Sequence, residues 1–346
     1  VISILVIFLI VVLVYMGPNF IGRVLTGYQY RDFTLGERVM TQLRVVMYYL
    51  SLLVLPSPSR LNLDHDFPVS HSLLNPASTL FSLLGLIGLI GLGVYLARRK
   101  PLASFGIFWF LGNLVVESSV IPLEMVFEHR LYLPLLGFLL FLAGMAGRKD
   151  KGRIFIYGAL IIIPIFSIWT FQRNIVWNDE FALWSDCLKK SPNKARSHDG
   201  IALAYLNNGM YDDAIREAQK ALQINPNYTK AYKVYSNIGF AYLYKGMYDE
   251  AIRQCQRALS INPNYTKAYT NLGVAYLNKG MYAEAIRENQ RAIEIDPNYG
   301  RAHMNLAIAY AKKGMSDEAI KEYQRALELD PDYTEIYKQA WERLLQ

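Results

Sequence analysis

Two polar stretches, set between long apolar runs, hold residue types that could do chemistry. One, SRLNLDHDFPVSHS at residues 59–72, carries Asp64, His65 and Asp66. The other, ESSVIPLEMVFEHRLYLP at residues 117–134, carries Glu117, Glu124, Glu128, His129, Arg130 and Tyr132. An Asp-His-Asp triplet can ligate a divalent cation or position a base. Arg130 with His129 can bind the phosphate of a membrane lipid substrate, because a guanidinium offers paired donors to phosphate oxygens. The structural alternative is that Asp64 and Asp66 cap a loop while Glu128 and Arg130 form an ion pair that opens a helix. Ionisable residues beside membrane spans are costly, so the two stretches together read as one polar site.

The elements that would position such a site are apolar. Among 346 residues, 53% are apolar, too many for an ordinary soluble chain of this length. Residues 1–171 hold 13 Lys/Arg and 8 Asp/Glu, and residues 172–346 hold 23 and 21, so the excess positive charge belongs to the apolar half. Seven of those 13 cations form two clusters, Arg98-Arg99-Lys100 and Arg148-Lys149-Lys151-Arg153, each between apolar runs. That is the pattern of cytoplasmic loops, and it argues against nucleic acid as the partner despite a pI near 9.1. A span needs about 20 apolar residues. Residues 77–97, 102–117, 131–147 and 154–171 approach or meet this, and residues 1–16 read as a further, truncated span rather than a signal peptide. With both clusters cytoplasmic, the stretch near residues 118–130 and everything after residue 171 lie outside. Residues 40–55 contain Gln42 and Arg44 and read as an amphipathic helix at the outer interface.

The second half repeats every 34 residues. TKAYTNLGVAYLNKGMYAEAIRENQRAIEIDPNY at 266–299 is the clearest unit, with flanking units at 195–228, 229–265 and 300–333. The unit at 229–265 has three extra residues, which predict a longer first helix. Each unit has small residues where two helices cross, Gly at the turn and Pro at the close, which resembles the tetratricopeptide repeat (TPR) consensus. Residues 179–191 read as a lead-in helix and 334–346 as a capping helix. Such arrays bind peptides in a concave groove. Asn237, Asn271 and Asn305 stand at the sixth place of successive units and resemble the asparagine ladder of the O-GlcNAc transferase repeats, where an amide pairs with a peptide backbone. The alternative is that Asn there serves helix packing. Tyr205, Tyr242, Tyr276 and Tyr310 read as core. Cys187 and Cys255, 68 residues apart in a solenoid, read as unpaired.

The phrases LDHDFPVS, FEHRLYLP and WNDEFALWSDCLKKSPNKARSH, running into the repeats, resemble the bacterial relatives of the eukaryotic transmembrane-and-TPR O-mannosyltransferases, from about Gly27 onward. The resemblance implies a GT-C type fold with an outer-leaflet active site, a polyprenyl-phosphate sugar donor and extracytoplasmic repeats. It places the catalytic base, an acidic residue, in a first outer loop upstream of Val1. Arg130, with Glu128, His129 and Tyr132, matches the family's EHRxYLP segment and would meet the donor phosphate. The expected architecture is therefore all-α: a polytopic transmembrane bundle over residues 1–172, the C-terminal part of a GT-C fold, then an extracytoplasmic TPR α-solenoid over 178–346. The expected function is transfer of a lipid-linked sugar to a protein held by the repeats, in a multi-pass protein of a bacterial inner membrane. The alternatives are a non-catalytic membrane-anchored TPR scaffold and a lipid-linked polysaccharide ligase or polymerase.

Overall fold

A computed structural model describes residues 22, 25–26, 28, 33–115, 126, 128–146 and 152–345. The chain divides into two compact units, Val1–Pro192 and Asn193–Gln346. Among the described residues, the regular elements of both are helices.

In the first unit, α1 (Leu35–Val54) opens on a capping box, in which the Thr34 hydroxyl accepts from the Glu37 amide and the Glu37 carboxylate accepts from the Thr34 amide. One face of α1 buries Val45, Val46, Tyr49 and Leu52 against Phe110 and Leu114 of α3. Thr41 and Gln42 of α1 are buried as well, and loop 68–70 covers that face: the Ser70 amide donates to the Thr41 hydroxyl at 2.8 Å, and Arg44 donates to the Pro68 carbonyl at 2.8 Å.

The remaining helices of this unit are α2 (Ser78–Ala97), α3 (Pro101–Val115), α4 (Tyr132–Ala146), α5 (Gly152–Trp177) and α6 (Glu180–Lys190), with a 3-10 turn at Glu128–Leu131 before α4. Among the described residues, two helical stretches are long and apolar enough to cross a membrane, Ser78–Ala97 and Leu160–Trp177. Only 11% and 6% of their most apolar windows are buried, and Phe81, Leu84 and Ile87, like Leu160, Ile161 and Ile163, point away from the protein. α3 and α4 fall on the expected spans at 102–117 and 131–147, and the described part of each has 15 residues, about 22 Å of helix. The expected span at residues 1–16 lies outside the described residues.

α3 and α4 meet backbone to backbone. A Cβ at Gly106 would lie 2.5 Å from the Gly137 carbonyl oxygen, one at Gly137 2.6 Å from the Gly106 carbonyl oxygen, and one at Gly144 2.4 Å from the Ala103 amide nitrogen. Small residues at such an interface let two helix backbones approach closely. Beside them an apolar cleft of about 270 Å³ opens between α1, α2, α3 and α4, walled by Leu50, Leu89, Ile107, Phe110, Phe138 and Phe141.

The second unit stacks helix pairs: α7 (Ala195–Asn207) with α8 (Tyr211–Ile224), α9 (Ala231–Tyr244) with α10 (Tyr248–Ile261), α11 (Thr266–Asn278) with α12 (Tyr282–Ile295), and α13 (Gly300–Lys312) with α14 (Ser316–Leu329). A terminal helix, α15 (Thr334–Leu345), packs through Tyr337 and Trp341 against Met304 and Tyr323. Gly209, Gly246, Gly280 and Gly314 turn each pair with φ between +72° and +83°, a left-handed conformation that costs other residues about 1–2 kcal/mol. The three extra residues before α9 lengthen it by one position only; Thr229 and Lys230 lie in the preceding turn. Packing against neighbours on both sides holds these helices to 13 or 14 residues, so the surplus chain goes into the connection.

Candidate functional site

The two polar stretches are built on one core. Leu61 and Phe67 of the first, and Val126 and Leu131 of the second, pack on the same cluster of α1 and α3 residues that contains Tyr49, Phe110 and Leu114. Arg130 is buried in the 3-10 turn with 8% of its surface exposed, Glu128 and His129 precede it in that turn, and Tyr132 opens α4 with its side chain 78% exposed. Phe110 also walls the apolar cleft, so the cleft and the Arg130 segment share a residue. Glu117 lies outside the described residues.

Residues 58–66 are fixed by a contact that sequence reasoning missed. Ser191, immediately after α6 and fully buried, donates its hydroxyl to the Asp64 carbonyl at 2.6 Å. It accepts from the Asn62 side-chain amide at 2.8 Å and from the Asp66 backbone amide at 3.0 Å. Lys190 donates to the Pro58 and Leu61 carbonyls, both at 2.8 Å, while Asp186 pairs with Lys190 and Arg173 at 2.7 Å each. α6 is itself capped by Asp179, which accepts from the amides of Phe181 and Ala182. The phrases LDHDFPVS and WSDCLKKSP are therefore two sides of one contact. The lead-in helix, read in sequence with the repeats, makes these bonds inside the first unit. The only local signal was a Ser-Pro pair ending a helix.

His65 packs edge-to-face on Tyr48 at 5.7 Å, and Asp64 is buried. Among the described residues no three His, Cys, Asp or Glu side chains converge to hold a metal ion, so the Asp64-His65-Asp66 triplet is not gathered into a ligand set. Cys187 and Cys255 are buried and unpaired, and burial pushes the Cys255 thiol up to about 12.

In the second unit, successive first helices α7, α9, α11 and α13 touch one another, whereas successive second helices do not touch to a like extent. The closer spacing puts the first helices on the inside of the curve. Asn237 is half-buried there. Asn271 is buried and donates to the Ser236 hydroxyl and carbonyl at 3.2 and 3.3 Å, so its amide is engaged within the stack. Asn305 is buried, and its side-chain nitrogen has no acceptor. Tyr205, Tyr242, Tyr276 and Tyr310 pack against the cores between helices. Asp199 on α7 accepts from the Tyr228 hydroxyl at 3.2 Å; burial raises its carboxyl although Lys230, Lys233 and Arg196 oppose the shift.

Residues 195–228 match one family model described as Tetratricopeptide repeat, and residues 232–265, 266–299 and 300–333 match another of the same description. The C-terminal part is a TPR solenoid. A stretch of 107 residues is 29% identical to Protein O-mannosyl-transferase Tmtc2 of Drosophila melanogaster, covering 30% of this chain and only 11% of the fly protein. Among solved structures, MamA is 29% identical, covers 45% of this chain and 83% of its own, and gives a TM-score of 0.37. YrrB, titled a TPR protein with an unusual peptide-binding site, is 24% identical over 47% of this chain and 81% of its own, with a TM-score of 0.38. MamA from Desulfovibrio magneticus RS-1 is 19% identical over 54% and 98%, with a TM-score of 0.39.

Proposed function

We propose that this chain is part of a membrane glycosyltransferase that takes sugar from a polyprenyl-phosphate donor and transfers it to a protein retained by the TPR groove. The observation that carries this reading is the apolar cleft between α1 and α4, which adjoins the Arg130 segment through Phe110. An isoprenoid tail suits the wholly apolar wall, and the buried guanidinium of Arg130 suits a phosphate, with the exposed Tyr132 beside it. The 29% identity to an O-mannosyl-transferase supports the reaction class. The basic clusters at 98–100 and 148–153 orient the polar stretches and the repeats to the extracytoplasmic face. Ser191, Lys190 and Asp186 then hold the 58–66 loop in place as positioning residues.

The test is incorporation of labelled sugar from a lipid-linked donor into protein, in membranes of the source cell expressing the gene or its Arg130→Ala variant. Loss of transfer at unchanged protein level is expected. Transfer undiminished by Arg130→Ala would exclude this donor site. A membrane-anchored TPR scaffold is the second reading, favoured by repeat matches that run from residue 195 to 333 while the enzyme match covers 11% of its relative. A scaffold would show no sugar transfer at all.

A further inference from the structure

The solenoid is electrically two-sided. Its four first helices carry five Lys or Arg and a single acidic residue, Asp199, whereas its four second helices carry eight Lys or Arg and twelve Asp or Glu. Cations on the second helices are largely neutralised by carboxylates on the same helix, as in Arg216 with Asp213, Lys220 with Glu217, Arg253 with Glu250 and Arg325 with Glu328. The inner wall differs. Arg196, Lys233, Lys267 and Arg301 stand at the second place of each unit, and among the described residues none of them is ion-paired.

The inner cations share a face with the amides. Lys233 and Asn237, Lys267 and Asn271, and Arg301 and Asn305 are each four residues apart on a helix, one above the other. Arg301 reaches across two units to lie over the Phe240 ring at 5.5 Å, which places both on the inside of the curve. Asn305 adds an independent sign of a missing acceptor. Its counterpart Asn271 donates to Ser236, but the residue in the place of Ser236 one unit on is Thr270, whose hydroxyl turns back to the Lys267 carbonyl at 3.0 Å. The Asn305 amide, 9% exposed, is left on the basic wall with a donor and nothing to receive it.

We infer that the groove selects an extended, acidic protein segment, with carboxylates on the cations of the second place and a backbone or side-chain carbonyl on the Asn305 amide. The inference rests on the reading that the repeats retain a protein, and it adds the chemical class of what they retain. Opposite charge accelerates encounter and sets register, while the amides tolerate any sequence.

The test is fluorescence anisotropy of the full chain, in a neutral detergent, with labelled peptides of repeating Glu-Ala-Ser and the same peptides with Gln or Lys in place of Glu. The Glu peptide is expected to bind at least about tenfold tighter than the Gln peptide and to weaken as salt rises. Lys233→Glu with Lys267→Glu, both at exposed side chains, is expected to remove that preference. Equal binding of Glu and Gln peptides would overturn the charge selection and leave peptide capture standing. Binding of no peptide would overturn capture as well. Preference for the Lys peptide, or equal displacement by an oligonucleotide, would also overturn the inference.

Discussion

Replacing Gly137 by Ala puts one methyl group into the closest helix contact of the first unit. The new Cβ would lie 2.6 Å from the Gly106 carbonyl oxygen and 2.7 Å from the Phe110 amide nitrogen, both backbone atoms that no rotamer change can move. Reaching an ordinary contact of 3.4 Å requires α3 and α4 to part by about 0.8 Å. A gap of that size forfeits roughly a quarter to a half of each atom pair's dispersion energy along the seam, and overpacking of this kind costs about 1–3 kcal/mol. Alanine returns up to about 1 kcal/mol through its higher helix propensity, so a net loss of about 2 kcal/mol is expected. Gly112 on the same α3 is the control, because a Cβ there meets nothing within 4 Å, and Gly112→Ala should be neutral or slightly stabilising. Detergent-denaturation curves followed by far-UV circular dichroism would separate the two variants. If both unfold at the same denaturant concentration, the close approach of α3 and α4 is wrong.

Two further outcomes follow from the polar contacts. Ser191→Ala would strip a buried acceptor from the Asp66 amide and the Asn62 side chain, a loss of about 1–3 kcal/mol local to loop 58–66. Faster hydrogen exchange at the Asp66 amide is expected, and unchanged exchange would show that the loop is held by other means. For Glu217, burial alone would raise the carboxyl, but hydrogen bonds from Lys220 and His198 outweigh it and hold the group below its ordinary value of 4.5. A depressed carboxyl stabilises the fold above its unfolded pKa and loses that contribution as pH falls through the folded one. Glu217→Gln should therefore be less stable than the parent near neutrality, with the gap closing below about pH 4.5. Thermal melts that show a constant gap into acid would contradict this.

What the sequence made legible was whatever is encoded within one unit or one helix. The 34-residue period, the turn glycines that take positive φ, and the small residues at crossings all recur locally, and each appears in the structure where the pattern put it: Gly273 touches Asn289, and Gly239 touches Cys255. The contacts that place the polar stretches had no such signal. Ser191 meets Asp64 across 127 residues, and Lys190 meets Pro58 across 132, through single hydrogen bonds that leave no periodicity. The amphipathic pattern of α1 says which side differs, not that loop 68–70 covers Thr41 and Gln42. The asparagine ladder was visible as a repeat, but its members differ in role according to the residue one unit before: Ser236 satisfies Asn271, while Thr270 leaves Asn305 without an acceptor.

The central claim is that the first unit holds a lipid phosphate at Arg130 with its tail in the neighbouring cleft. The direct measurement is photo-crosslinking of the full chain in membranes by a diazirine-bearing polyprenyl phosphate, with labelled peptides located by mass spectrometry. Labelling is predicted at the cleft residues Phe110 and Phe138 and in the segment around Arg130, reduced by Arg130→Ala and weak with the phosphate-free polyprenol. Labelling that is indifferent to Arg130→Ala, or as strong with the free alcohol, would contradict the account.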